Sequence, residues 1–200
     1  MGKAGCYLKQ TSDIHPLYQK VIVNGISLTL FKHRSEYRQN KGEALVSSNI
    51  RRLVKGPYHL FNNVTLNENG HTTQIDHILV TQKKIIVIET KHYSGWIFGS
   101  PISKYWQQSI YRYKSKFLNP ILQNQRHIKF LSKLFNLDQS YYKNLVVFSG
   151  DSEFKTEVGI NVINLNSLSK HINEDTDSVI NEKMMTYIVG RIEMHITRQK

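Results

Sequence analysis

Apolar residues recur along this chain with two periods, and the switches between them mark out its elements. Val21-Ile22-Val23-Asn24-Gly25-Ile26-Ser27-Leu28-Thr29-Leu30 sets two apolar runs about Asn-Gly, which predicts a β-hairpin with a tight turn. Over 39–55, Glu43, Val46, Ile50 and Leu53 or Val54 fall at three- and four-residue steps. That spacing predicts an amphipathic helix whose inward stripe includes one carboxylate, stopped by Gly56-Pro57. Three strands are expected next, over 58–66, 73–81 and 84–91, with a short extension over 95–99. A helix is expected over 105–117, and Asn119-Pro120 offers an N-cap and a first-turn proline for another reaching Phe135. Leu145-Val146-Val147-Phe148 before Ser149-Gly150 reads as a buried strand, and 160–165 as another. Helices over 166–172 and 177–196 complete the chain. There is no internal repeat and no linker-like tract, so the elements share one core. The expected fold is α/β: a mixed β-sheet flanked by helices in a single domain.

The most informative stretch is Thr73-Gln74-Ile75-Asp76-His77-Ile78-Leu79-Val80-Thr81-Gln82-Lys83-Lys84-Ile85-Ile86-Val87-Ile88-Glu89-Thr90-Lys91. With Gln82 and Lys83 as the turn of an antiparallel hairpin, Ile78 faces Val87, Asp76 faces Glu89 and Gln74 faces Lys91. Side chains alternate with period two, so one face reads Val80, Ile78, Ile85 and Val87, then Asp76, Glu89, Gln74 and Lys91. The other carries Ile75, His77, Leu79, Ile86, Ile88 and Thr90. Both faces are mostly apolar, which predicts central strands covered on both sides. Four polar groups gather at one end.

Composition narrows the class. A length of 200 residues suits one domain, and 40% hydrophobic with 21% charged residues excludes a disordered chain. Cys6 is the single cysteine, which excludes an internal disulfide and a multi-cysteine zinc site and fits a reducing cytoplasm. No apolar run approaches the roughly 20 residues needed to span a bilayer, and the first residues lack a signal-peptide core. Charge says more: 27 Lys and Arg against 15 Asp and Glu give +12, which suits a polyanionic partner. From Thr90 to Leu137 there is no Asp or Glu, while Lys91, Lys104, Arg112, Lys114, Lys116, Arg126, Lys129 and Lys133 are all basic. Tyr93, Trp96, Tyr105, Trp106, Tyr111 and Tyr113 are interleaved among them, a mixture able to track phosphates and stack on bases. Nucleic acid is therefore the expected partner. A membrane surface is not, because no terminus is a strongly amphipathic basic helix.

Against that basic background, two facing carboxylates ask for compensation. Like charges opposite each other on paired strands destabilise, and burying them costs several kcal/mol per ion. Lys91 offsets one charge at most; a divalent cation offsets both, and an all-oxygen site suits Mg²⁺ or Mn²⁺. Such a cation in a basic surface would act on a phosphodiester. Spacing alone leaves this reading level with another, in which the strand ends run into solvent and their charges are harmless.

Several stretches together resemble the nuclease-related domain (NERD) family of the PD-(D/E)xK nuclease superfamily: Gly42-Glu43, Thr73-Gln74-Ile75-Asp76-His77, Ile88-Glu89-Thr90-Lys91, Trp96 with Gly99, Trp106, and Asn119-Pro120 followed by Gln123. They occur in the family's order, although Ile75 stands where the superfamily has proline. The resemblance implies a restriction-endonuclease-like fold and a Mg²⁺- or Mn²⁺-dependent enzyme that cleaves DNA, in prokaryotic or plasmid DNA processing or defence. Its rivals are an idle nucleic-acid-binding module of the same fold and an RNase. It implies a nuclease core over 39–150, an N-terminal extension over 1–38, and a strand and helices packing on the core over 151–200. Asp76 and Glu89 would hold the metal, with the Thr90 carbonyl as an extra ligand and Glu43 completing or supporting the site. Lys91 would orient or help deprotonate the attacking water; Gln74 and Gln123 would orient water or phosphate. Lys104, Arg112, Lys114, Lys116, Gln123, Arg126 and Lys129 are the candidate nucleic-acid contacts. His77, on the face opposite Asp76, is expected to be structural. His92 has equal claim to a phosphate or to solvent, and so have Gln123 and His127, which share a helix side. Trp96 and Trp106 are expected in the core, and Cys6 has no base partner.

Overall fold

A computed structural model describes the backbone of residues 28–196 and the side chains of residues 40–196. Helix α1 (Leu28–Leu53) ends just before Gly56-Pro57, as its sequence requires. The chain then crosses a five-stranded mixed sheet in spatial order β1-β2-β3-β7-β9. Its strands are β1 (Tyr58–Glu68), β2 (His71–Thr81), β3 (Ile85–Lys91), β7 (Tyr142–Phe148) and β9 (Val162–Asn164). The first three pair antiparallel, and β3, β7 and β9 run parallel. The central hairpin keeps the expected register, with Val80 opposite Ile85 and Ile78 opposite Val87.

Both faces of this sheet are covered, which is why its strands are apolar on both sides. On one face Ile78, Val80, Ile85 and Val87 pack with Ile128, Leu131, Leu134 and Phe135 of α2 (Pro120–Phe135) and Ile188 and Ile192 of α4 (Glu182–His195). On the other, Leu79, Ile86, Ile88, Leu145 and Val147 meet Val46 and Ile50 of α1 and Leu168 and Ile172 of α3 (Leu168–Asn173). Helix α2 is set at its start by Asn119, whose Oδ1 accepts from the Ile121 and Leu122 N–H groups. The same side chain's Nδ2 donates to the carbonyls of Pro101 and Ser103, tying the helix to the preceding loop. Buried Asn124 then locks α2 onto the sheet, its Nδ2 reaching the carbonyls of Val87 and Leu145 and Asn144 Oδ1.

A second, four-stranded sheet has the order β6-β5-β4-β8, from β4 (Gly95–Phe98), β5 (Tyr105–Ile110), β6 (Tyr113–Leu118) and β8 (Ser152–Phe154). It corrects the sequence reading, which expected a helix over 105–117 and no strand over 152–154. Trp106 lies opposite Phe117, and both pack with Ile97, Phe148 and Phe154. That aromatic cluster rewards the period-two pattern of the segment, whose Tyr, Trp, Ile and Phe residues favour strands. The turn hides itself, since Tyr111-Arg112 carries no Gly or Asn although Tyr111 has φ 52°. Gly99 is required by the packing: a Cβ there would lie 2.2 Å from the Trp106 ring.

Two smaller differences remain. The hairpin expected over 21–30 falls outside the described residues up to 27, and Leu28–Leu30 are helical. The last helix begins at Glu182 rather than 177, where Asn181 Oδ1 caps it by accepting from the Met184 N–H. No helix among the described residues is long and apolar enough to cross a membrane.

Candidate active site

Strand pairing fails on both sides of Asp76. Toward β1 the ladder skips the Asn63–Asp76 position, and Asn63 adopts φ 47°. Toward β3 the ladder ends at His77 opposite Ile88, so Asp76 and Glu89 are not laddered. Asp76 Oδ2 instead accepts the Thr90 N–H at 2.8 Å, drawing a side chain into the gap between the two strands. The interruption also resets the alternation of β2. Ile75, expected beside His77, packs in the cluster that holds Ile78 and Val80, and Thr73 reaches α2. Gln74, expected beside Lys91, is exposed and donates from Nε2 to Asn63 Oδ1 at 2.7 Å.

Glu89 and Lys91 keep the expected common side and face α2. Lys91 Nζ donates to Glu89 Oε1 at 2.5 Å and lies 3.4 Å from Gln123 Oε1. Glu89 Oε2 is 3.6 Å from His127 Nε2, too far for a hydrogen bond, and neither atom has another protein partner. His127 is oriented from behind by a 2.8 Å hydrogen bond between its Nδ1 and Thr73 Oγ1. His127 thus belongs to the site more firmly than its sequence suggested. The available signal was its position one turn after Gln123, on the same side of α2.

Asp76 and Glu89 are only 6% and 1% exposed, so their charges act at close quarters. Burial, and then the charge of Glu89, push the Asp76 carboxyl up to about 8, with Glu43 adding and the Thr90 N–H opposing. Burial works the same way on Glu89, but His127 and Lys91 beside it outweigh that and hold its carboxyl below the usual range. Burial opposes the Lys91 charge, yet the Glu89 carboxylate overcomes it and raises Lys91 above an ordinary lysine. One carboxylate is therefore paired within the protein, and its neighbour is held back from ionising by the crowding.

Glu43 sits on α1 and lines a cavity of about 240 Å³ with Asn62, Asn63 and His77. Gly42 lets α1 approach, because a Cβ there would lie 2.6 Å from His92 Cβ and 2.8 Å from Ser149 Oγ. His77 lies on the face away from Glu89, as expected, its Nδ1 donating to Asn62 Oδ1 at 2.8 Å. Burial, and then the charge of Arg51, lower it to about 4. His92 shares a 3.1 Å hydrogen bond with Ser149.

Among the described residues, no three Asp, Glu, His or Cys side chains are grouped to ligate one ion, so Glu43 does not join Asp76 and Glu89 as a third close donor. The remaining pair still suits a hard cation. Glu89 Oε2 is buried and unpartnered, and Asp76 is kept from ionising by burial and then by negative charge that a cation would offset. Mg²⁺ commonly takes one or two carboxylates and fills its other positions with water and phosphate oxygens.

Of the candidate nucleic-acid contacts, Lys104, Gln123 and Arg126 line one shallow recess. Arg126, Lys129 and Lys133 line another of about 510 Å³, against Glu68, Asn69 and His71 of the β1–β2 end. Lys114 and Lys116 project from β6, and Arg112 stands at the hairpin tip; all three are exposed and none joins Asp76 and Glu89.

A family model described as the nuclease-related domain matches residues 38–149, a span that holds every side chain of this site. The chain is also similar to pXO1-01, an uncharacterized protein of Bacillus anthracis, with 37% identity over 142 residues. That stretch is 70% of this chain and 64% of the relative's length.

Proposed function

The chain belongs to the nuclease-related domain family, and from that premise we propose that it is a Mg²⁺- or Mn²⁺-dependent enzyme hydrolysing DNA phosphodiester bonds. The observation that carries this reading is the pair of buried carboxylates at a break in the sheet, one ion-paired to Lys91 and the other pushed up to about 8. A protein that only bound nucleic acid would gain nothing from so costly a pair.

Asp76 and Glu89 would hold the cation, with the Thr90 carbonyl at the same break, and Glu43 would act through water. The cation would polarise a phosphoryl oxygen and lower the pKa of a water toward neutrality. Lys91, raised above its ordinary value, keeps its proton at neutral pH and so serves as a cation rather than a base. From 2.5 Å it fixes Glu89 Oε1, and its charge offsets that gathering on the scissile phosphate. His127 Nε2 stands 3.6 Å from the Glu89 oxygen left for the cation, and Gln123 beside Lys91 can donate to a phosphate. Arg126, Lys129 and Lys104 continue the positive surface outward along α2 and its approach. The single cysteine agrees with a cytoplasmic setting.

The test is to incubate the purified chain with circular, linear and single-stranded DNA and with RNA, in Mg²⁺, Mn²⁺ or EDTA. Cleavage of DNA that needs a divalent ion is expected. Cleavage of RNA alone assigns an RNase, and tight binding with no cleavage in any metal assigns an idle module.

A further inference from the structure

The second sheet has one face in the aromatic core and one face open. Register places Ile97, Phe154, Trp106 and Phe117 on the inner face, where they pack together. It places Trp96, Tyr105, Lys114, Lys116 and Leu118 on the outer face. There Trp96 is 52%, Tyr105 52% and Leu118 47% exposed, far more than the core placement expected of Trp96. Two cations lie over these rings: Lys104 Nζ is 5.3 Å from the Tyr105 centroid, and Lys155 Nζ is 4.8 Å from that of Trp96. Glu153, the acidic residue paired across from Trp96, is ion-paired to Lys155.

We propose that this outer face is a docking platform for single-stranded nucleic acid, feeding the strand toward Lys91. The inference rests on the nuclease reading and names the form of its substrate. Charge complementarity identifies the occupant: the stretch from Thr90 to Leu137 that builds three of the four strands contains no acidic residue. The aromatics identify its strandedness. In a duplex the base faces are stacked on each other, so Trp96 and Tyr105 would find only sugar, phosphate and base edges. Unpaired bases can lie on them, while Lys104, Lys114 and Lys116 neutralise the backbone, the combination by which proteins hold single strands. Lys104 joins the platform to the catalytic end, since it stands over Tyr105 and shares a recess with Gln123 and Arg126. Gln123 in turn reaches Lys91.

Trp fluorescence tests this without any turnover, because Trp106 is buried and Trp96 is the exposed reporter. Titrating the full chain in EDTA with a 15-nucleotide oligothymidylate should quench Trp96, and an equal-length RNA shows which sugar is preferred. By anisotropy, Trp96→Ala and Tyr105→Ala should each weaken single-strand binding by about fivefold or more, and duplex binding by less than twofold. Both positions are at the surface, so matched melting temperatures check the fold. Equal losses on single strand and duplex, or no loss on either, overturn the platform and leave the nuclease reading standing. Absence of binding to every nucleic acid overturns both. Concentration-dependent dimerisation abolished by Trp96→Ala overturns the platform and makes the face a contact between copies.

Discussion

Replacing Asp76 by Asn should make the metal-free protein more stable, although Asp76 is placed at the heart of the site. Asn keeps an oxygen acceptor for the Thr90 N–H and removes the charge that Glu89 and Glu43 resist. The sign follows from linkage. The folded carboxyl is raised from 3.8 to about 8, so the folded state retains a proton that the unfolded chain gives up near pH 4. Asp76 therefore costs nothing below that pH, and its cost grows as pH rises until it levels off above about 8. Each pH unit in that window removes about 1.4 kcal/mol, so by pH 7 the burden is on the order of 4 kcal/mol. For a chain of this length, that predicts a melting temperature about 8–16 °C higher for Asp76→Asn at pH 7 in EDTA. The difference should shrink to about a quarter of that near pH 4.5. Scanning calorimetry of both proteins in EDTA, between pH 4.5 and 8.5, measures it. A gain that does not change with pH, or a loss at every pH, would refute the crowding argument. Saturating Mg²⁺ should close the gap by stabilising the native protein alone, as for any ligand that binds only the folded state.

Lys91→Met should destabilise by about 3–5 kcal/mol at pH 7, because it strands the buried Glu89 charge, and Glu89→Gln in the same chain should restore most of that. Urea denaturation of the single and double variants checks it. Asn124→Ala should cost about 2–4 kcal/mol, since the carbonyls of Val87 and Leu145 lose their side-chain partner inside the core; urea denaturation reads this too. Arg126→Ala and Lys129→Ala should weaken DNA binding on every sequence alike. Each should flatten the log–log salt dependence by about 0.9 for a lost duplex phosphate contact. Anisotropy titrations at several salt concentrations read that slope.

What was legible in the sequence was what local pattern controls. The stripe of Val46 and Ile50, the Asn119-Pro120 cap and the hairpin from His77 to Ile88 carry their own periods and caps, and each lies where its pattern points. The strand pair from Tyr105 to Leu118 was not legible, because its turn lacks the usual residues and its reward lies in Phe148 and Phe154, far along the chain. The site divides in the same way. Glu89 and Lys91 follow strict alternation along β3, so their common side could be read directly. Asp76 and Gln74 could not be placed that way, since Asn63 breaks the neighbouring ladder and turns Ile75 over. His127 is brought in by α2, whose docking is set by Asn124, and pattern within β2 and β3 holds no trace of it.

Asp76, Glu89 and Lys91 constitute the proposed divalent-metal hydrolytic centre. Single-turnover cleavage of end-labelled DNA in Mg²⁺, with enzyme in excess, compares the native chain with Glu89→Gln and Lys91→Ala most directly. Both variants should still bind DNA, keep a native circular dichroism spectrum and cleave at least about 100-fold more slowly, as mutation of preorganised charge-stabilising groups does elsewhere. EDTA should abolish cleavage by all three proteins. Mg²⁺-dependent cleavage that persists undiminished in both variants would contradict it and place the chemistry elsewhere in the chain.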